Sequence, residues 1–210
     1  MDASWSYRFL EPRDIDEVKD LCRIWFPVRY PEFWYQDVTS AERYYSLAAT
    51  HPVDGHIIGM IVCDVKSLKQ VNREDHSLLS REHCTEDSRV AYILSLGVVE
   101  SFRRKRLGSA LLNKLIEYLT SPVKRHVKAV YLHVLFSNMA ATSFYRKHDF
   151  REHMFLPFYY HINGRSADAC SYVRYINGGT PPKTIIYPLF YNCVPVLVCY
   201  IALLLQTIFY

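Results

Sequence analysis

The sequence predicts an α+β fold in which strands predominate and helices pack between them. Residues 90–99 are apolar and rich in β-branched side chains, so both faces of this strand are expected to be covered, as at the centre of a sheet. From Leu107 onward the leucines recur at helical spacing, so a helix follows that strand after a short turn. Two further apolar runs, at 44–50 and 56–65, flank a short turn at 51–55, which is the pattern of an antiparallel hairpin.

The N-terminal segment predicts a strand followed by a helix. The stretch WSYRFLEP at 5–12 is interpreted as the first strand. Asp14, with Glu17 three residues later, predicts a capped helix start, and the helix is expected to end near Pro27. Apolar side chains recur along one side of this helix, at Ile15, Val18, Leu21 and Trp25.

The remaining elements follow a long polar connection. Residues 67–88 show no sustained periodicity and predict a loop with at most a short helix. Beyond the helix that starts at Leu107, the sequence predicts further elements in order. These are a buried strand at 128–136, a short helix at 138–148, and strands at 150–162 and 170–176.

Composition limits the class of protein. The chain has 210 residues, half of them hydrophobic, which is enough for one sizeable core and little more. A net charge of +4 does not suggest nucleic-acid binding, but it is compatible with an anionic ligand or a membrane surface. The six cysteines form no C-x-x-C pair and no signal peptide is recognised, so we expect reduced cytosolic thiols and no metal site.

A cluster of positive charge separates the strand at 90–99 from the helix at Leu107. The first N–H groups of a helix have no internal partner and the helix dipole is positive there, so this turn suits one or more phosphates. A solvated basic loop is the alternative. The basic residues are Arg103, Arg104, Lys105 and Arg106.

Polar side chains in the next strand and helix predict a second part of a site. On a helix, Asn138, Ala141 and Tyr145 share one face, so an amide, a small residue and a phenol line up. They could bind an amide-bearing ligand and donate a proton, or they could be a helix cap and a core aromatic.

Tyr92 and His133 each interrupt an apolar strand, although a core aromatic and a core histidine bound to a backbone carbonyl would give the same pattern.

Together these features resemble the GCN5-related N-acetyltransferase (GNAT) superfamily. The resemblance implies a mixed, mostly antiparallel sheet with flanking helices, and a basic loop of the form R/Q-x-x-G-x-G/A that holds the coenzyme A pyrophosphate. Arg103 and Gly108 match that pattern, whereas Arg106 stands at its first glycine. An arginine there adds bulk but also a charged fork suited to phosphate.

Six segments resemble, in order across residues 20–179, the N-terminal acetyltransferases of the Golgi-associated NatF type. The segments are WFPVRYPEFWYQDVTS, YSLAAT, VAYILSLGVV, AVYLHVL, LPFYY and YINGG. The resemblance implies transfer of acetyl from acetyl-CoA to the α-amine of a protein N-terminus, chiefly methionine followed by a hydrophobic or similar residue. The sequence departs from the family at Arg29, where an acidic residue is expected.

The resemblance also assigns roles to residues. It implies that Tyr92 and His133 are the general bases, that N–H groups around 96–98 meet the oxyanion, and that Tyr145 protonates the departing thiolate. The residues implied in acetyl-CoA binding are Leu96, Gly97, Val98, Arg103, Arg104, Lys105, Arg106, Leu107, Gly108, Ser109, Asn138 and Tyr145. The residues implied in substrate binding are Phe26, Tyr30, Leu94, Tyr159 and Tyr160.

The C-terminal segment has a different character, because residues 184–210 contain no charged side chain. About 20 apolar residues can cross a bilayer, although Pro188 and Pro195 also allow a kinked or interfacial segment. Arg174 and Lys183 precede the run, and by the positive-inside tendency they favour a catalytic domain in the cytosol.

We therefore expect an acetyltransferase domain over 1–179 and a membrane-associating tail over 180–210. The expected protein is a NatF-type enzyme on the cytosolic side of the Golgi membrane. It uses acetyl-CoA and no metal, acts on the N-termini of membrane proteins, contacts lipid through its tail and binds no nucleic acid. The alternatives are a lysine acetyltransferase, including one acting on histones, and an inactive acyl-CoA-binding membrane scaffold.

Overall fold

Seven strands form one sheet in the computed structural model, which describes residues 5–183. The strands are β1 (Ser6–Phe9), β2 (Tyr44–Thr50), β3 (Ile57–Ser67), β4 (Arg89–Val98), β5 (Val127–Leu135), β6 (Arg151–Ile162) and β7 (Arg165–Tyr175). Their order in the sheet is β1-β2-β3-β4-β5-β7-β6. Among these strands only β4 and β5 pair in parallel, so the predicted mixed, mostly antiparallel sheet is confirmed.

Helices cover both faces of the sheet. They are α1 (Ile15–Trp25), α2 (Glu32–Ser40), α3 (Leu107–Leu119) and α4 (Met139–Lys147). The buried leucines of α3 pack with Tyr145 and Phe150 on one face, while α1 and α2 bury Val18, Trp34 and Val38 on the other. The sequence analysis did not predict α2.

The predicted cap of α1 is wrong in its detail. The Asp14 side chain makes no capping hydrogen bond to α1. Its two oxygens instead accept from the Arg8 guanidinium at 2.6 and 2.8 Å, and one also accepts from the Glu11 N–H at 2.8 Å. Glu17 likewise accepts from the Ile57 N–H, at 2.8 Å, rather than closing a capping box. Asp14 thus closes the capping box of the 3₁₀ turn Pro12–Asp14 with Glu11 and also pairs with Arg8, so it joins β1 to the start of α1.

The connection between β3 and β4 is a folded cover and not a solvated loop. It contains three short 3₁₀ turns, and it buries Leu78 and Leu79 against β4, β5 and β7. This cover lies on the same side of the sheet as Tyr92 and Tyr131, and its Asp75 is only 1% exposed. It therefore brings a carboxylate into the interior.

The sheet opens between β4 and β5. Their parallel pairing runs only from Arg89 to Tyr92 on β4, and it ends where Tyr92 faces Tyr131. Beyond that point β4 continues along β3 to Val98, and β5 continues along β7 to Leu135. Backbone groups on the facing edges of the two strands are therefore left without a neighbouring strand.

The end of α1 approaches β4 closely above this opening. A Cβ atom at Gly97 would lie 2.0 Å from Cε3 of Trp25. Only glycine allows that approach, so Gly97 fixes the position at which α1 ends.

None of the helices within residues 5–183 is long and apolar enough to cross a membrane. The predicted tail at 184–210 lies outside the described residues.

Candidate active site

Tyr92 and His133 meet at the point where β4 and β5 separate. The Tyr92 hydroxyl lies 3.1 Å from His133 Nδ1, and the Tyr159 hydroxyl lies 2.9 Å from the same nitrogen. Tyr160 donates to the His133 carbonyl at 3.3 Å. The structure thus brings together four of the residues singled out in the sequence, and the His133 ring binds side chains rather than a backbone carbonyl.

Asp75 completes this cluster from the far side of the imidazole. Its Oδ1 lies 2.9 Å from His133 Nε2, and the two side chains are 2% and 0% exposed. A carboxylate oxygen accepts from an imidazole N–H, so this contact favours the tautomer that carries its proton on Nε2 and leaves the Nδ1 lone pair facing the hydroxyls. Sequence reasoning missed Asp75.

The tyrosines of this cluster are held in their protonated form. Burial, together with neighbouring phenols and the Asp75 charge, raises the pKa of Tyr92 well above its ordinary value of 10. Burial also raises the pKa of Tyr159, and it raises the pKa of Tyr160 to about 12. At neutral pH these side chains are hydroxyl donors that can pass a proton to His133, and none of them is a phenolate base.

Two N–H groups of β4 point into the opening. Val99 donates to the Ile58 carbonyl at 2.9 Å, so by the alternation of an antiparallel ladder Gly97 also faces β3. The N–H groups of Leu96 and Val98 therefore face away from β3, toward the gap left by β5. These two are the donors available to a carbonyl oxygen there, whereas the N–H of Gly97 is used by the sheet.

The basic turn leads directly into α3 and presents its charges to solvent. The first helical hydrogen bond joins the Ala110 N–H to the Arg106 carbonyl at 2.9 Å, so the three preceding N–H groups remain available to an anion. Arg106 is left-handed, with φ 67° and ψ 6°. The arginine therefore adopts the backbone conformation that glycine favours, and its role in binding the coenzyme A pyrophosphate stays a prediction.

Two substitutions of Arg106 separate the effect of its charge on acetyl-CoA binding from the effect of its backbone conformation. We expect Arg106→Ala to weaken acetyl-CoA binding by about 1–3 kcal/mol, because it removes a charge-assisted contact and keeps a left-handed residue with a Cβ. We expect Arg106→Gly to recover part of that loss, because glycine adopts this φ without strain. Calorimetric titration with acetyl-CoA measures both, and tighter binding in both variants would show that Arg106 obstructs the site.

The predicted residues on α3 and α4 lie beside this turn and also support the fold. Asn138 Oδ1 accepts from the Ala141 N–H at 3.1 Å and caps α4. Tyr145 is buried in the core beside Phe144, and burial raises the pKa of its hydroxyl. Ser109 Oγ lies 2.9 Å from His148 Nε2 and joins the two helices. These contacts are those of a helix cap, a core aromatic and a link between two helices. The cofactor roles of Asn138, Ser109 and Tyr145 therefore stay predictions.

An aromatic wall stands on the other side of the opening. Phe26 meets Tyr30 edge-on at 6.1 Å, and Tyr30 stacks on Trp34 at 4.1 Å. Phe26 and Tyr30 line a cavity of about 380 Å³ with Arg29, and the tip of the β6–β7 hairpin closes its side. Leu94 lies at a β-bulge of β4 and packs toward α1 and α2. Phe26, Tyr30 and Leu94 thus pack with α1 and α2, whereas Tyr159 and Tyr160 bond to His133, so the substrate pocket that would join the two groups stays a prediction.

Comparison with known proteins agrees with this geometry. The model of the acetyltransferase (GNAT) family matches residues 15–150. N-alpha-acetyltransferase 60 of Xenopus tropicalis is 48% identical over 179 residues, which cover 85% of this chain and 73% of the relative. Histone acetyltransferase MCC1 of Arabidopsis thaliana is 30% identical over 181 residues, covering 84% and 72%.

Solved structures show the same similarity. Arabidopsis thaliana NAA60 in complex with acetyl-CoA superimposes with a TM-score of 0.74 at 29% identity, over 83% of this chain and all of the other. The same enzyme with a bisubstrate analogue gives the same TM-score over 99% of its chain. The chain therefore belongs to the acetyltransferase (GNAT) family and, within it, groups with the N-alpha-acetyltransferase 60 proteins.

Proposed function

We propose that this protein transfers acetyl from acetyl-CoA to the α-amine of protein N-termini, chiefly those that begin with methionine followed by a hydrophobic residue. The observation that carries the proposal is the Asp75–His133–Tyr92 chain at the opening of the sheet. It presents a proton acceptor to the opening, and we infer that coenzyme A binds at the basic turn and that a methionine side chain binds against the aromatic wall.

The proton path follows from the hydrogen bonds. The α-ammonium group has an ordinary pKa of about 7.7–8.0, so a modest base can release the free amine near neutral pH. Tyr92 or Tyr159 receives that proton, directly or through water, while it passes its own to His133 Nδ1. Asp75 stabilises the imidazolium that results.

Attack of the free amine on the thioester carbonyl then forms a tetrahedral oxyanion. The N–H groups of Leu96 and Val98 face the gap in which that oxygen develops, and such donors stabilise it. Collapse breaks the C–S bond, the nitrogen releases its remaining extra proton to water, and the thiolate takes a proton. We assign the donor of that proton to Tyr145, whose raised pKa keeps its hydroxyl protonated before the step and returns it to the protonated form from water afterwards.

A peptide assay tests the proposed substrate. We expect the purified protein to acetylate a peptide that begins Met-Leu and to lose that activity when the α-amine is blocked, since an internal lysine amine has a pKa of about 10.4 and is harder to deprotonate. Mass spectrometry locates the acetyl group. Equal modification of the blocked peptide on lysine would replace the proposal with a lysine acetyltransferase.

Lysine acetylation is the second candidate, and one observation favours it. The similar Arabidopsis protein MCC1 is a histone acetyltransferase. A histone H4 tail peptide with a blocked N-terminus therefore belongs in the same assay. Absence of turnover on every peptide, with acetyl-CoA still bound, would indicate an acyl-CoA-binding scaffold.

Membrane attachment at the cytosolic face of the Golgi, with membrane-protein N-termini as substrates, completes the proposal. It is supported by the uncharged run at 184–210. We expect a chain that ends at Lys183 to stay in the aqueous phase and keep its activity, and the full chain to sediment with membranes and resist carbonate extraction. If carbonate releases the full chain, the tail lies on the membrane surface and does not span the bilayer. If the full chain is found in the aqueous phase, membrane attachment is excluded.

A further inference from the structure

The segment that follows β7 begins at the end of the sheet where β4 and β5 begin. The Asn177 amide donates to the carbonyls of Leu119, Lys124 and Val127 at 2.8–3.1 Å. The Lys128 ammonium in turn donates to the Asn177 carbonyl at 2.9 Å. These bonds fix the start of the final segment against the turn between α3 and β5.

Positive charge collects at the same place. Arg89, Lys124, Arg125 and Lys128, here called the basic end, come from the starts of β4 and β5 and from the turn before β5. Within residues 5–183, none of the four forms an ion pair with a carboxylate, whereas the neighbouring Lys69 and Lys183 pair with glutamates.

The crowding of these charges is visible at His126. The pKa of its imidazole is lowered, first by burial and then by the charges of Lys124, Arg89 and Lys128. The charge of Asp87 raises that pKa and only partly offsets the cations. The basic end therefore carries an excess of positive charge.

Apolar side chains are exposed beside these cations. Val123 is 80% exposed in the turn before β5, and Tyr118 is 37% exposed near the end of α3. The Lys124 ammonium lies 5.0 Å from the centre of the Tyr118 ring. Cations mixed with aromatic and aliphatic side chains are typical of surfaces that rest on a lipid headgroup layer.

We propose that the basic end lies on an anionic lipid surface, with the tail entering the membrane beside it. The proposal rests on the membrane attachment proposed above. Two observations select lipid as the occupant. The four cations without a carboxylate partner complement anionic headgroups. The 27 uncharged residues at 184–210 follow, seven residues later in the sequence, Asn177, which is bonded to Lys124 and Lys128.

This arrangement orients the enzyme. His133 lies six residues along β5 from Val127, which is about 20 Å at 3.3 Å per residue. The acetyl-transfer opening therefore stands about that far above the lipid surface and faces the cytosol. An N-terminus anchored in the same membrane needs roughly six extended residues to reach it.

Vesicle binding of the full chain tests the proposal. We compare phosphatidylcholine vesicles with vesicles that contain about 30% phosphatidylserine, a fraction that gives an anionic surface potential. The test variant is Lys124→Gln with Arg125→Gln. The matched control is Arg23→Gln with Arg165→Gln, which removes the same charge at the opposite end of the domain. The thermal unfolding temperature shows that each variant is folded.

We expect the basic-end variant to bind the anionic vesicles roughly 25-fold more weakly than the unaltered chain, since it lacks two cations and each cation near such a surface contributes about fivefold. Binding to the neutral vesicles should not change, and the control variant should behave as the unaltered chain. Equal weakening in both variants, or no preference for phosphatidylserine, would overturn the basic end as a lipid contact while leaving tail attachment in place. No binding to either vesicle would overturn both.

Discussion

Replacing Tyr92 with phenylalanine, or His133 with alanine, is expected to lower kcat by about 10²-fold or more while acetyl-CoA binding stays nearly unchanged. The reason is geometric, because His133 Nδ1 is the only acceptor within the described cluster that both hydroxyls reach. Tyr159 remains in Tyr92→Phe and retains part of the proton path. The loss in His133→Ala should therefore be at least as large as the loss in Tyr92→Phe.

Steady-state kinetics with a Met-Leu peptide measure this effect, and calorimetry measures acetyl-CoA binding. Tyr172→Phe is the matched control, because Tyr172 is also a buried tyrosine but bonds to Glu152 at 3.2 Å, away from His133. Its loss should reduce stability by about 1 kcal/mol and leave kcat unchanged. Turnover near that of the unaltered enzyme in both soluble site variants would refute the assignment.

The extent to which the site could be predicted depends on how its residues are spaced in the sequence. Tyr92 and His133 were recognisable because each interrupts an apolar strand, and their partnership required only that the two strands be neighbours. The sheet supplies that neighbour relation through the parallel pairing of β4 and β5. A polar residue inside an otherwise buried strand is a signal that local sequence carries.

Asp75 could not be found in this way. It lies 58 residues from His133, within a polar stretch that has no periodicity. Asp75 is buried because Leu78 and Leu79 pack the cover against β4, β5 and β7. The pair of leucines in that polar stretch was the available signal, but it indicates burial without naming the partner of the carboxylate.

Two local features show the limits of local rules. Asp14 has the spacing of a cap for α1, yet both oxygens of its carboxylate accept hydrogen bonds from the Arg8 guanidinium. Arg106 stands where the family pattern has glycine, yet its backbone is left-handed all the same. A pattern read along the chain predicted neither outcome.

The second large effect is expected at Asp75. Asp75→Asn keeps the size of the side chain but allows it to donate to His133 Nε2, so the imidazole proton can move to Nδ1. The nitrogen that faces Tyr92 and Tyr159 would then no longer accept a proton. We expect kcat to fall by about 10-fold to 10²-fold with KM for acetyl-CoA little changed. The loss cannot exceed that of His133→Ala, because Asp75 acts through His133.

A double-mutant cycle separates this positioning role from a role in packing. If Asp75 acts on the reaction only through His133, adding Asp75→Asn to His133→Ala should not lower kcat further, because the imidazole that it orients is already absent. If Asp75 instead holds the cover in place, the two losses in kcat multiply and the unfolding temperature falls in both backgrounds. If the two losses in kcat multiply in a folded double variant, the positioning role is contradicted, because Asp75 cannot set the tautomer of an imidazole that is absent.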